Sequence, residues 1–384
     1  MNFNTWFSSL QTRTARNSGA GLVAFRELLA RLNNPQQNYK IIHVAGTNGK
    51  GTVCTRLAQA LSRAGEKTGL FISPHLISPT ERIQIDGQEI TAADFIHAVE
   101  QVFLLAQEPL NFFEVLTAAA LYYFAQNKVR YVVLETGLGG RKDPTNVCVP
   151  VLSIITSIGL DHTPLLGNTL EQIAFEKAGI IKPHIPVLCG ALPVQAARVV
   201  EEIAQEKNAP LEIMPPLNAG NAHLQNMRLA QRAATCLGFS AQTCAEAIKQ
   251  AALPGRFEVF YRGNKTFILD GAHNPPALAN LLAYWQNSPF AQARAAVLCG
   301  FMQDKDYPQM MSMLAAYFKT GIVTAVSSVR AAGEEKISPL LPATWPFVPD
   351  VSAALLLAQE RADVVLVTGS FYLVGAIRKQ LIEA

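Results

Sequence analysis

The run Tyr39-Lys-Ile-Ile-His-Val-Ala-Gly-Thr-Asn-Gly-Lys-Gly-Thr52 joins an apolar strand pattern to three glycines, Lys50 and Thr52. A helical pattern, Val53 to Ala64, follows at once. That order builds a phosphate cradle. Glycines let backbone N–H groups converge on an anion, and the helix N-terminus adds the positive end of its dipole. Lys50 supplies a mobile cation for the outer phosphates, and Thr52 a hydroxyl for Mg²⁺. The match to the general P-loop pattern is partial. Val44 stands where the first glycine of G-x-x-x-x-G-K-[ST] belongs, and Gly51 separates Lys50 from Thr52. A plain strand-turn-helix with incidental glycines is the competing reading.

Further polar residues follow short apolar runs. Glu135 closes Arg130–Leu134 and leads into Gly137-Leu-Gly-Gly-Arg-Lys-Asp143. Asp161-His162 lies beyond Val151–Ser157, and Ser73-Pro-His75 beyond Thr68–Ile72. A hard cation such as Mg²⁺ takes oxygen ligands and substrate phosphates, which suits Glu135 and Ser73, whereas an imidazole such as His162 generally prefers softer metals. In the last third, Asp270-Gly-Ala-His-Asn-Pro-Pro276 ends a strand pattern with a dense polar turn. Asp270 can accept hydrogen bonds from ribose hydroxyls or the adenine region. His273 and Asn274 lie where a helix begins, a suitable place to meet an anion. Arg256, in Pro254-Gly-Arg-Phe257, is placed to reach nucleotide phosphates between domains. Each has a plainer reading: Glu135 as a capping or surface carboxylate, His162 as a hydrogen-bonded structural histidine, Ser73 as a turn residue, Lys177 as a solvated helix lysine, the Asp270 turn as an Asx-type cap, Arg256 as a surface arginine.

The elements that must position these residues read as an α/β fold. Strand-like Ile41–Ala45, Thr68–Ile72, Arg130–Leu134, Val151–Ser157 and Pro186–Cys189 alternate with helical Val53–Ala64, Thr91–Ala106, Val115–Gln126 and Thr169–Ala178. Short buried runs between helices point to a mostly parallel sheet with helices on both faces, which binds ligands beyond the carboxyl ends of its strands. Helical stretches Ala222–Leu237 and Cys244–Ala251 come next, and Pro254-Gly-Arg-Phe257 breaks the pattern. The expected division is a P-loop domain over residues 1–253 and a smaller, Rossmann-like α/β domain over 257–384. Strand runs Thr266–Leu269, Ala295–Cys299, Ile322–Val326 and Val364–Val367 support the second.

The 384 residues suit two domains better than one. Hydrophobic content of 49% against 16% charged residues fits a packed protein, and a net charge of +3 argues for neither nucleic acid nor a membrane surface. The N-terminus lacks a basic region followed by a long apolar core, no stretch is apolar for the length of a membrane span, and the six cysteines form no C-x-x-C pair. A cytoplasmic protein with reduced thiols is expected.

Taken together the motifs resemble the folylpolyglutamate synthase/dihydrofolate synthase family of the ATP-dependent Mur ligase superfamily. They are His43-Val-Ala-Gly-Thr-Asn-Gly-Lys-Gly-Thr52, Ser73-Pro-His75 with Glu81-Arg82, Glu135-Thr-Gly-Leu-Gly-Gly-Arg-Lys-Asp143, Leu160-Asp-His162, Glu176-Lys-Ala-Gly-Ile-Ile-Lys182, Pro254-Gly-Arg-Phe-Glu258, Asp270-Gly-Ala-His-Asn-Pro275 and Thr368-Gly-Ser370. The resemblance implies that Thr47, Asn48, Gly49, Lys50, Gly51 and Thr52 hold ATP, with Asn226, Arg256 and Asp270 also contacting the nucleotide. It implies one Mg²⁺ on Ser73 and Glu135 and a second on Glu135 and His162, with Lys177 carbamylated by CO₂. His273 and Ser370 would bind L-glutamate in the C-terminal domain. Asn111, Phe112, Phe113, Glu114 and the loop near Lys142 match the region that holds the pterin. His184 stands where the family commonly has glycine.

The implied reaction is amide formation. A carboxylate of dihydropteroate or a reduced folate attacks the γ-phosphate of ATP, and the amine of glutamate attacks the resulting acyl phosphate, with Lys50, His162 and Lys177 at the chemistry. A monomer acting on small molecules, without nucleic-acid or membrane partners, is expected. Two rivals remain: another Mur-type amino-acid ligase acting on a nucleotide-linked cell-wall precursor, and a non-catalytic nucleotide-binding regulatory module.

Overall fold

The computed structural model of the chain describes residues 3–14, 21–217, 222–328 and 330–383. They form two compact units. The first comprises the chain up to Pro74, Pro79–Pro216 and Leu224–Ala251; the second comprises His75–Ser78, Leu217–His223 and everything from Ala252. The short segment His75–Ser78 therefore lies with the second unit although the P-loop sheet surrounds it in sequence. The physical reason is close packing: a side chain at Gly375 would strike the carbonyl oxygen of Leu76, and one at Gly255 the Leu76 side chain.

Among the described residues the first unit holds eight strands: β1 (Lys40–Ala45), β2 (Thr68–Phe71), β3 (Ile83–Ile85), β4 (Gln88–Glu89), β5 (Tyr131–Glu135), β6 (Leu152–Ile155), β7 (Val187–Cys189) and β8 (Leu211–Ile213). Their spatial order is β4-β3-β2-β5-β1-β6-β7-β8, parallel throughout except at β2/β3 and β3/β4. The antiparallel β3–β4 hairpin was not expected. Its signal is the Asp86-Gly87 dipeptide, whose residues both have positive φ, as a tight hairpin turn demands. From β1 the chain crosses to β2 on one side, and β6 takes the place on β1's other side. Such a reversal opens a crevice at the carboxyl ends, where the P-loop leaves β1.

Continuous apolar strands are buried on both faces. One core joins Phe71, Val132 and Leu134 to Phe25, Phe95, Leu116 and Phe124. Another joins Ala45, Ile155 and Val187 to Ile173, Ala196 and Val200. Helix boundaries follow the caps. The helix Phe112–Gln126 begins three residues before the apolar periodicity suggests, because Asn111 and Glu114 form a capping box. His184 sits at φ 61, a left-handed conformation that favours glycine.

The second unit carries β9 (Glu258–Arg262), β10 (Lys265–Leu269), β11 (Ala295–Cys299), β12 (Thr320–Thr324), β13 (Phe347–Val348) and β14 (Val364–Thr368), in the order β13-β12-β11-β14-β10-β9. Only β9/β10 is antiparallel. Ile268, Val297, Val323 and Leu366 face one core, while Phe267, Leu298, Ile322 and Val365 face the other. Both units are thus mostly parallel mixed sheets with helices. Among the described residues no helix is long and apolar enough to cross a membrane.

Candidate active site

The P-loop begins where β1 ends. A side chain at Gly46 would put its Cβ 1.9 Å from Thr156 Oγ1, so only glycine lets the backbone pass. Gly49, at φ 87, is the N-cap of the helix Lys50–Arg63 and makes no side-chain cap. Val53 N is the first amide to reach an intrahelical acceptor, at Gly49 O, which leaves the Lys50, Gly51 and Thr52 amides ahead of that bond. The helix starts at Lys50, three residues earlier than its apolar pattern, so these amides belong to its first turn. They and the dipole make an anion site.

The segment after β6 holds the loop in shape. Thr47 N donates to Ser157 O at 2.8 Å. Thr47 Oγ1 donates to Gly159 O and accepts from Gly159 N. Asn48 is gripped at both ends: its N–H donates to Ser157 Oγ at 3.0 Å, and its carbonyl accepts from Thr156 Oγ1 at 2.7 Å and Ser157 Oγ at 3.0 Å. Sequence reasoning missed Thr156 and Ser157. Their only signal is a hydroxyl pair after an apolar strand. Asn226 packs on the loop too, since a Cβ on Gly49 would lie 2.5 Å from its Oδ1.

Two lysines meet at one carbonyl. Lys50 Nζ donates to Gly46 O at 3.0 Å, and buried Lys177 Nζ donates to the same oxygen at 3.0 Å. Burial, and next the charge of Lys50, lower the Lys177 pKa to about 7, against the opposing pull of Asp161 and Asp143. A substantial share of Lys177 is then a neutral amine at physiological pH.

Glu135 ends β5 almost fully buried, and its Oε2 accepts from Ser73 N at 2.8 Å, so the structure joins these two expected ligands. His162 has φ 50, unusual for a side-chain-bearing residue, and its ring nitrogen Nε2 lies 3.9 Å from Asp161 Oδ2. Among the described residues no three His, Cys, Asp or Glu side chains gather as a metal cluster. The oxygen donors for a divalent ion here would be the Glu135 carboxylate, hydroxyls and phosphate oxygens, beside the expected His162 nitrogen. That sparse oxygen set fits Mg²⁺, which keeps waters and substrate phosphates around it.

The expected pterin-binding residues divide. Asn111 Oδ1 accepts from the Phe113 and Glu114 amides, and Glu114 Oε2 accepts from Asn111 N, so both polar side chains serve the cap. Phe113 lies against the loop after Glu135, because a Cβ on Gly137 would fall 2.5 Å from its ring. Lys142 is exposed on that loop.

In the second unit, Arg256 lies over the Phe371 ring at 4.4 Å, and His273 lies 5.1 Å from the same ring. Burial raises the Asp270 carboxyl, partly offset by the Arg256 charge. Its oxygens accept from Phe257 N and Ala272 N, both at 2.9 Å. His273 Nδ1 lies 2.9 Å from Gly271 O, and Ser370 Oγ accepts from Leu373 N at the start of the helix Phe371–Glu383.

The family model for the Mur ligase middle domain matches residues 44–259, and that for the Mur ligase glutamate ligase domain matches residues 255–371. The chain is 33% identical to the dihydrofolate synthase/folylpolyglutamate synthase of Bacillus subtilis, over 94% of this chain and 95% of that protein. It is similar to the structure of Escherichia coli FolC in complex with DHPP and ADP, with a TM-score of 0.90 and 29% identity, covering 100% of this chain and 98% of that one. The bifunctional folylpolyglutamate synthase/dihydrofolate synthase of Yersinia pestis, complexed with AMPPNP and Mn ion, matches with a TM-score of 0.90 and 30% identity over 100% and 98%. By sequence over nearly its whole length and by fold, the chain belongs to the Mur ligase family, among the dihydrofolate synthase/folylpolyglutamate synthases.

Proposed function

We propose that this chain is an ATP-dependent ligase that joins L-glutamate to dihydropteroate, to folates, or to both, through an acyl phosphate. The observation that carries the reading is the convergence of Lys50 and Lys177 on the Gly46 carbonyl, beside a glycine-built helix N-terminus. The Lys50 ammonium and the helix dipole favour a polyanion such as a triphosphate, and the burial that crowds Lys177 against them drives it toward the neutral amine.

The P-loop amides and Lys50 hold the outer phosphates in line with the attacking carboxylate. That carboxylate bonds to the γ-phosphorus and ADP leaves. The amine of glutamate then bonds to the acyl carbon, inorganic phosphate leaves, and the amine gives up a proton. The neutral fraction of Lys177 can attack CO₂: a nitrogen–carbon bond forms as one carbon–oxygen π bond opens, the nitrogen gives up a proton, and a carbamate anion stands where the amine was. Divalent ions held by Ser73, Glu135, His162 and the modified Lys177 would supply charge neutralisation to the transferring phosphoryl group. Asn226, Arg256 and Asp270 are assigned to the nucleotide, and His273 and Ser370 to glutamate. Asn111–Glu114 and Lys142 are assigned to the pterin; Asn111 and Glu114 act there by fixing where Phe112 and Phe113 stand. The same reading makes the protein a cytoplasmic monomer working on small molecules.

The test is mass spectrometry of products with dihydropteroate and tetrahydrofolate in turn, plus ATP and labelled glutamate. A glutamylated pterin, ADP and phosphate in equal amounts are expected. ATP consumption indifferent to both pterins and to glutamate would overturn the assignment.

A further inference from the structure

Among the described residues, two buried polar atoms without a hydrogen-bond partner lie side by side in the first sheet, one on β1 and one directly after β5. They are His43 Nδ1 and Thr136 Oγ1, on residues with no exposed surface. The parallel register pairs His43 with Leu134 and Val44 with Glu135. His43 and Thr136 therefore project from the same face, one diagonal step apart, while Glu135 projects from the opposite face. Buried polar groups are rarely left unpaired, because each one costs its full desolvation.

The rest of the His43 ring is accounted for. Its Nε2 lies 2.8 Å from Thr145 Oγ1. Thr145 Oγ1 spends its own proton on Asp143 Oδ1 at 2.5 Å, so Nε2 must carry the hydrogen and donate. Nδ1 is then a bare acceptor, consistent with burial and Lys182 lowering the His43 pKa to about 3. Thr136 offers a donor on the same face. A buried acceptor and a buried donor on one face of the sheet, one diagonal register step apart and each without a partner, are the kind of pair that a held water satisfies.

We propose that one ordered water bridges Thr136 Oγ1 and His43 Nδ1, and that His43 is thereby a positioning residue for the loop Gly137–Asp143. The bridge completes a buried chain from Thr136 through water, His43 and Thr145 to Asp143. Asp143 also accepts from Leu138 N at 2.8 Å and from Thr145 N at 3.0 Å, which pins both ends of the loop. The loop in turn abuts the lysine helix. Arg141 N donates to Glu176 O at 2.7 Å, and a Cβ on Gly140 would lie 2.9 Å from the carbonyl oxygens of Glu176 and Lys177. The chain thus fixes Glu135 and Lys177 relative to one another from the side of the sheet that Glu135 does not face. The P-loop is held separately by Thr156 and Ser157.

Thr136→Val keeps the shape and removes the hydroxyl; Thr136→Ser keeps the hydroxyl. A crystal structure at atomic resolution is expected to show a water within hydrogen-bond distance of both atoms, and a dry gap overturns the bridge. Thr136→Val is expected to lower Tm, whereas a truly orphaned hydroxyl would make the same change raise Tm or leave it alone, which also overturns the bridge. The kinetic arm rests on the ligase reading. There, Thr136→Val should raise the Mg²⁺ concentration for half-maximal activity about tenfold with the KM for ATP unchanged, and Thr136→Ser should restore it. An unchanged Mg²⁺ dependence removes the positioning role. Absence of glutamate ligation by the unsubstituted protein would instead sink the ligase reading, and the density and Tm results would still decide the water.

Discussion

The two sheets offer two polar rims of different construction. At the first, glycines open the backbone of the P-loop, two lysines share one carbonyl, and Glu135 is buried with Ser73 N as a hydrogen-bond donor. At the second, Asp270 is occupied by two backbone amides, and Arg256 and His273 gather on the Phe371 ring. The first rim concentrates charge where a phosphate can cancel it. The second fixes its carboxylate with two backbone amides and gathers a guanidinium and an imidazole on an aromatic ring. The difference teaches that similar α/β sheets can carry different polar chemistry at their rims, and under the proposed function the first would hold the phosphoryl transfer and the second the recognition of ligands.

Substitutions can break that division. The largest effect is expected from Lys177→Ala, with kcat falling about 10³-fold and partial rescue by short carboxylic acids. Full activity in steady-state assays would remove the carbamate and leave Lys177 a structural lysine. Glu135→Ala should lower kcat about 10²-fold and increase the Mg²⁺ requirement while circular dichroism stays unchanged. Rates unaltered at limiting Mg²⁺ would take Glu135 out of the metal site.

A stability measurement sharpens the comparison from another side. His43 has a pKa of about 3 when folded and the ordinary 6.5 when unfolded. Below pH 6.5 the unfolded chain binds a proton that the folded chain does not. This contribution to stability is therefore complete above pH 6.5 and is lost as the pH falls toward 3, by roughly 2 kcal/mol at pH 5. Hydrogen exchange at decreasing pH should show the first unit opening before the second; simultaneous loss would mean that His43 does not set the acid limit. The smallest effect is expected from Arg256→Ala: a KM for ATP raised about tenfold with kcat nearly kept, from loss of a charge-assisted contact. A collapse of kcat matching that of Lys177→Ala would place the second rim in the chemistry and end the division.

Much of the architecture was legible because its strands are continuous apolar runs closed by polar residues. Ile41–Ala45, Arg130–Leu134 and Ala295–Cys299 read as strands buried on both faces, and that calls for helices on each side. Helix starts were less legible. Lys50 and Phe112 lie ahead of the apolar periodicity because the first helical turn is defined by caps and glycine φ angles. The β3–β4 hairpin escaped because its strands are short and carry little alternation, despite the Asp86-Gly87 turn. In the site, Lys50, Glu135, Ser73 and Lys177 stood out through neighbouring motifs. Thr156, Ser157, Thr145 and Asp143 did not stand out as anchors, since a threonine or serine after a strand is common.

By itself the sequence determined the two α/β sheets, the glycine cradle at the start of a helix, and the family, because these depend on local pattern and on motifs in fixed order. The tertiary structure alone decided that β6 lies beside β1, that Lys50 and Lys177 meet at Gly46, and that His43 and Thr136 share a face away from Glu135. The physical reason is strand order. Neighbours in a parallel sheet can be far apart in the chain, so the partner of a buried polar group is fixed by which strands pair and in what register.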